Sequence, residues 1–219
     1  MIAAIVFDFD GVLVDSEPLH LRAYQEVLEP LGISLPREEY YASYLGYDDE
    51  GAFRAIADAR RLPLDDRQVR DLIAEKSRVY DGIISSGDVF YPGAAACVAR
   101  LAAHYPLGIA SGAQRQEIET LLAAQNLSPH FRFIVASGET AASKPAPDPY
   151  QRAAELHGVP PQACLAIEDS RWGIVSAKAA GMWCIGITNT YPVAELLEAD
   201  AIVSSLDEVT PALIATIGK

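Results

Sequence analysis

The sequence predicts an α/β protein, a Rossmann-like parallel sheet with helices on both faces and an inserted all-helical domain. Three observations predict it. The chain opens on an apolar run, Ile2 to Phe7, β-branched at three of six positions, which leads into Asp8-Phe9-Asp10-Gly11, as a buried strand running into a site would. Residues 17–86 repeat apolar positions at three- and four-residue steps with no strand-like alternation. From residue 93 onward, short apolar runs alternate with helical stretches, the pattern of strand–helix units whose parallel sheet is covered on both faces.

In chain order, Leu19, Ala23, Val27, Leu28 and Leu31 mark a helix that ends at Gly32 and starts at Ser16-Glu17-Pro18. Helices are predicted over about 37–45, 49–60 and 65–81, with Gly46, Gly51 and Leu62-Pro63-Leu64 between them. The stretch Ser85-Ser86-Gly87-Asp88 closes this block, so residues 17–86 are expected to form a helical domain and residues 1–16 and 87–219 the α/β core. The core series continues with a helix over 93–104, a strand Leu107–Ala110 ending at Ser111-Gly112, a helix over 114–125 and a strand Phe133–Ala136. After the Lys144-Pro145 loop come a helix over 148–157, a strand Cys164–Ile167 ending at Glu168-Asp169, a helix Gly173–Ala180 and strands Trp183–Ile187 and Ala201–Val203.

Composition narrows the function. The 219 residues are half hydrophobic and carry a formal charge of −13, which would repel nucleic acid and anionic membranes alike. Three cysteines, Cys97, Cys164 and Cys184, lie far apart without C-x-x-C spacing, so buried reduced thiols are expected rather than a disulfide framework or a zinc site. No basic segment precedes the first apolar run, and no uncharged stretch approaches the roughly 18 to 20 residues that span a bilayer. A cytoplasmic protein, monomeric or a small homo-oligomer, is the expectation.

Asp8, Asp10, Glu168 and Asp169 all fall at carboxyl ends of predicted strands, where open α/β sheets bind ligands. Buried carboxylates repel one another and lose hydration. Four around one crevice call for a hard divalent cation, Mg²⁺ foremost. Lys144, the Ser111 hydroxyl and backbone N–H groups in the Gly11 and Gly112 turns would then offer positive charge and donors to a phosphate. With phosphate so held, one carboxylate can attack phosphorus and another can move a proton.

Asp8-Phe9-Asp10-Gly11-Val12-Leu13-Val14-Asp15-Ser16, Ser111-Gly112, Lys144-Pro145-Ala146-Pro147-Asp148 and Glu168-Asp169-Ser170-Arg171-Trp172-Gly173-Ile174 together resemble the four signatures of the haloacid dehalogenase superfamily, in order and spacing. The helical insert resembles the cap of its phosphoglycolate phosphatase and β-phosphoglucomutase-like branch. The resemblance implies a Mg²⁺-dependent phosphatase acting on a small phosphorylated metabolite, of sugar phosphate or phosphoglycolate type, through an aspartyl-phosphate. In that scheme Asp8 is the nucleophile, and it binds Mg²⁺ with the Asp10 carbonyl, Asp169 and, directly or through water, Glu168. Asp10 serves as acid and then base, Ser111 and Lys144 bind phosphoryl oxygens, and His20, near the hinge, is a candidate substrate-binding residue.

Two alternatives follow from the same residues. A phosphosugar mutase of the β-phosphoglucomutase type would present a lysine and an arginine where this chain has Leu45 and Asp49, so transfer to water is favoured. A non-catalytic phospho-ligand or protein-binding member would gain little from the Asp8/Asp10 pair. Arg54, Arg60, Arg61 and Lys76 are expected on solvated faces, His104, His130 and His157 at exposed helix ends or loops, and Arg115 and Arg171 in salt bridges. Trp172, Trp183 and the tyrosines of the helical block are expected to pack.

Overall fold

The computed structural model describes residues 1–44, 47, 49–84 and 89–218, with only the backbone of Ile84. The chain divides into two compact units, Ser16–Gly87 and the combination of Met1–Asp15 with Asp88–Lys219.

The first of these is helical: α1 (Glu17–Leu28), α2 (Arg37–Ser43), α3 (Asp49–Ala59) and α4 (Asp66–Ile84). Leu21, Tyr24, Val27 and Leu28 project from one stripe of α1 and pack with Tyr40, Phe53, Ile56 and Val69. Their three- and four-residue spacing is what builds that stripe. Each large apolar side chain buried this way contributes about 1.5–3 kcal/mol.

The α/β unit holds β1 (Ala4–Phe7), β2 (Leu107–Ala110), β3 (Phe131–Val135), β4 (Cys164–Glu168), β5 (Trp183–Ile187) and β6 (Ala201–Val203) in the order β3-β2-β1-β4-β5-β6. Every neighbouring pair is parallel. Between and after the strands lie α5 (Ala94–Ala102), α6 (Arg115–Ala124), α7 (Asp148–His157), α8 (Arg171–Ala180) and α9 (Pro211–Ile214). Ala4 and Val6 of β1 face a cluster that includes Tyr150, Ala153, Ile174 and Ala177 from α7 and α8. Since β1 is flanked on both sides and all four of its residues are 0 % exposed, an apolar run rather than an alternating one is what this position demands.

Register positions the site. Phe7 pairs with Ile109 on one side and Ile167 on the other, so Asp8 comes level with Ala110 and Glu168 at the carboxyl edge.

Several boundaries differ from expectation for local reasons. Helix α8 starts at Arg171 rather than Gly173, because the Ser170 hydroxyl accepts from the Gly173 N–H and caps it. Strand β3 starts at Phe131, which reaches Leu107 across a register shift. Thr210-Pro211 opens the unpredicted short helix α9, with the Thr210 hydroxyl accepting from Leu213 N–H.

Some side-chain expectations are corrected. Lys76 is buried at 4 % exposure rather than solvated, because its ammonium meets Asp49 and the rings of Tyr24 and Tyr80. His157 is buried rather than exposed, with its ring against Phe133 and its Nε2 3.3 Å from the Ile5 carbonyl. Trp172 is 51 % exposed rather than packed, and Arg171 lies over its ring and makes no salt bridge among the described residues. Arg115 does pair with Glu119 and Glu139, Arg54 with Glu50 and Asp66, and Arg60 with Glu39. The three cysteines are buried and free. Among the described residues, no helix is long and apolar enough to cross a membrane.

Candidate active site

Asp8, Glu168 and Asp169 converge beyond β1 and β4, with one carboxylate oxygen of each within 4.8 Å of the others. Glu168 is 0 % exposed, and Asp8 and Asp169 are nearly as buried. Lys144, from the loop before α7, answers them: its Nζ donates to Asp8 Oδ1 at 2.9 Å, to Glu168 Oε1 at 2.7 Å and to the Ala110 carbonyl at 2.9 Å. All three ammonium protons are thereby engaged.

Electrostatics set these groups against one another. Burial pushes Asp8 up to about 7, Glu168 adds to the push, and Lys144 opposes it. Asp169 is raised well above the ordinary carboxylate value by burial and then by Asp8 and Glu168, although a hydrogen bond from Thr190 pulls the other way. Burial works against the Lys144 ammonium too, yet Asp8 and Glu168 overcome it and hold its pKa above that of an ordinary lysine. Three buried carboxylates facing one lysine leave negative charge in excess, and a hard divalent cation on oxygen ligands is what such a donor set accommodates.

Side chains not singled out from the sequence fix this arrangement. The Tyr150 hydroxyl, on α7, donates to Glu168 Oε1 at 2.6 Å, and Lys144 Nζ sits 4.9 Å from its ring centroid. Ser170 adds a 3.3 Å contact to Glu168 Oε2. Asn189 Nδ2 donates to the Gly11 carbonyl at 2.8 Å. The visible signals were Tyr150 two residues into a helix beside the Lys144 loop, and Asn189-Thr190 just past a strand end.

Two glycines admit the carboxylates. A Cβ on Gly11, whose φ is +75°, would lie 1.9 Å from Asp169 Oδ2, and one on Gly173 would lie 1.9 Å from the Glu168 carboxyl. The Gly11 N–H donates to the Val14 carbonyl at 2.8 Å. That donor, expected to face a phosphate, is taken up inside the turn. A Cβ on Gly112 would meet nothing within 4 Å.

Ser111 follows β2 and is buried; its hydroxyl accepts from the Ala113 N–H at 3.0 Å and keeps its own proton to donate. Asp10 lies half-buried in the turn after β1, with a carboxylate oxygen within 4.8 Å of one on Glu117 of α6. His20 belongs to the helical unit, on α1, with Nδ1 3.0 Å from Lys76 Nζ. Leu45, the position where a mutase would show a lysine, lies outside the described residues. Asp49 is described, and it pairs with Lys76 at 2.6 Å.

Residues 2–181 match the sequence profile of the haloacid dehalogenase-like hydrolases. The chain belongs to this family. Among curated haloacid dehalogenase-like relatives, protein CbbY of Rhodobacter capsulatus is 37 % identical over 188 residues, 82 % of either chain. A phosphoglycolate phosphatase of Escherichia coli K12 is 31 % identical over 233 residues, 97 % of this chain and 92 % of that one. Among solved structures, CbbY of Rhodobacter sphaeroides in complex with xylulose-(1,5)-bisphosphate superposes with a TM-score of 0.82 at 28 % identity, covering 95 % of this chain and 96 % of that one.

Proposed function

We propose that this haloacid dehalogenase-like hydrolase is a Mg²⁺-dependent phosphatase that hydrolyses a small phosphorylated metabolite of the sugar phosphate or phosphoglycolate type. The observation that carries the reading is the buried trio Asp8, Glu168 and Asp169 with Lys144 bonded to two of its members. The relatives named above support the substrate type.

In this reading Asp8, Asp169 and the Asp10 carbonyl hold Mg²⁺, with Glu168 beside them. When bound, the ion would offset phosphate charge and polarise phosphorus toward attack. Lys144 fixes one oxygen of Asp8 and leaves the other to form a bond to phosphorus. The bond from phosphorus to the substrate oxygen breaks, and Asp10 delivers a proton to the departing alkoxide. Asp10 then takes a proton from water, whose oxygen displaces Asp8 and releases inorganic phosphate. The Ser111 hydroxyl donates to a phosphoryl oxygen throughout. The unit Ser16–Gly87 acts as a cap that excludes bulk water and selects the leaving alcohol.

Purified protein assayed with p-nitrophenyl phosphate and Mg²⁺ tests this. Asp8→Asn should lower phosphate release by about 10³-fold or more, the scale set by loss of a nucleophile. Undiminished activity in that variant would overturn the mechanism. Incubation with glucose 1-phosphate isomers separates the mutase alternative: interconversion faster than phosphate release would favour it.

A further inference from the structure

Arg115 opens α6, where its charge opposes the helix dipole. Most of its contacts lie outside that helix. Its Nε donates to Glu139 Oε1 at 2.6 Å, its Nη2 donates to Glu139 Oε2 and to the Ile134 carbonyl, both at 2.8 Å, and its Nη1 reaches Glu119 at 3.2 Å. Glu139 Oε2 in turn accepts from the Ala136 N–H at 3.1 Å. A planar fork on both oxygens of one carboxylate fixes orientation as well as distance.

The segment so gathered, 134–139, wraps the turn that carries Ser111. The Ser111 N–H donates to the Val135 carbonyl and the Ser137 N–H to the Ala113 carbonyl, each at 2.9 Å. Within the turn, the Ala113 N–H donates to the Ser111 hydroxyl at 3.0 Å. Hydrogen bonds and chain thus close a ring through Ser111, Val135, Ala136, Glu139 and Arg115. At Gly112 the turn is open, since an added Cβ would meet no described atom within 4 Å. Strand β3, to which Ile134 and Val135 belong, is an edge strand with a register shift against β2.

We infer that Arg115 and Glu139 are positioning residues for the Ser111 hydroxyl: their fork ties the turn after β2 to the end of β3 and so fixes where that hydroxyl donates. The inference rests on the phosphatase reading above, in which Ser111 donates to a phosphoryl oxygen. A donor displaced by about 1 Å can cost about 100-fold in rate. A salt bridge whose two side chains are both more than a third exposed, by contrast, contributes little to stability. The pair should therefore matter far more to turnover than to folding, the reverse of a merely structural contact.

The test measures melting temperature, and kcat and KM for p-nitrophenyl phosphate with Mg²⁺, in the wild type, Arg115→Met, Arg115→Lys, Glu139→Gln, Ser111→Ala and the double variant Ser111→Ala/Arg115→Met. Arg115→Met should lower kcat about tenfold or more, while melting temperature moves by no more than about 4 °C. Glu139→Gln keeps an oxygen for the Ala136 N–H but weakens the fork, and Arg115→Lys keeps the charge without the fork. Both should fall between Arg115→Met and the wild type. With Ser111→Ala the hydroxyl to be aimed is gone, so adding Arg115→Met should change kcat by less than about twofold. Arg152→Met, which breaks an exposed pair with Glu155 on α7, should leave kcat unchanged. If Arg115→Met alone does not fold, Arg115→Lys decides by the same cycle. A folded variant of the cycle with wild-type kcat, or an equal fold-loss with and without the Ser111 hydroxyl, overturns this inference alone. Unfolding of all three clamp variants does so too, since the pair would then be structural. No phosphate release by the wild type overturns the phosphatase reading and the inference with it.

Discussion

Lys144 Nζ lies 2.9 Å from Asp8 Oδ1, yet Glu168 holds the same ammonium more closely, at 2.7 Å. The lysine is thus the shared counterion of a buried carboxylate set. Removing one partner of such a set costs about 3–5 kcal/mol. Lys144→Met should therefore be destabilised on that scale in EDTA, with the loss reduced by Mg²⁺, and should lose nearly all phosphate release. Thermal melts with and without the ion check this, and equal loss in both conditions would refute the counterion role.

Tyr150→Phe isolates one bond. The hydroxyl sits 2.6 Å from Glu168 Oε1 and is fully buried, and a hydrogen bond to a charged group contributes about 1.5–3 kcal/mol. Urea unfolding should show a loss of that size with an unchanged dependence on denaturant. A neutral substitution would mean that Glu168 finds another donor.

Gly173→Ala should lower activity at least tenfold while the protein still folds. Its Cβ would lie 1.9 Å from the Glu168 carboxyl, which cannot swing aside without losing Lys144 and Tyr150. A 1 Å displacement in a catalytic group can cost about 100-fold. The kcat of the purified variant decides.

His157 links stability to pH. Burial, the largest cause, holds its pKa below the ordinary value of 6.5, and its Nδ1 has no hydrogen-bond partner among the described residues. The unfolded chain therefore takes up a proton that the folded chain resists. The contribution is fully present above pH 6.5 and is lost as pH falls below it toward the folded pKa. Melting temperature should decline from pH 7 to pH 5 more steeply in the wild type than in His157→Gln.

Mg²⁺ at 100 times its dissociation constant should stabilise the folded chain by about 2.7 kcal/mol, the effect of a ligand that binds only the native state. Asp169→Asn should abolish most of that gain. Melts over a Mg²⁺ titration measure both.

Much of this was legible beforehand because the physics is local. The six strands are short, largely apolar runs bounded by breakers; Asp8, Ser111 and the Glu168-Asp169 pair stand where three of them stop, and Lys144 stands in the loop between β3 and α7. What was illegible depends on partners distant in sequence. Lys76 reads as a solvated helix residue until Asp49, 27 residues earlier, turns out to face it. His157 reads as a helix end, yet its hydrogen-bond partner is Ile5, 152 residues away. Tyr150 is not singled out by the sequence, since nothing in its own helix announces a carboxylate from β4.

The central place of β1 also has a consequence for synthesis. Strand β1 is made first, but its neighbour β4 comes about 160 residues later, at Cys164–Glu168. A nascent chain, which folds from its amino terminus as it emerges, therefore carries Asp8 long before Glu168 or Asp169 exists. A ribosome-stalled product ending before residue 164 holds one carboxylate of the trio and half of the scaffold that aims it. Hydrolytic competence should therefore arrive only after β4 and Asp169 have been made.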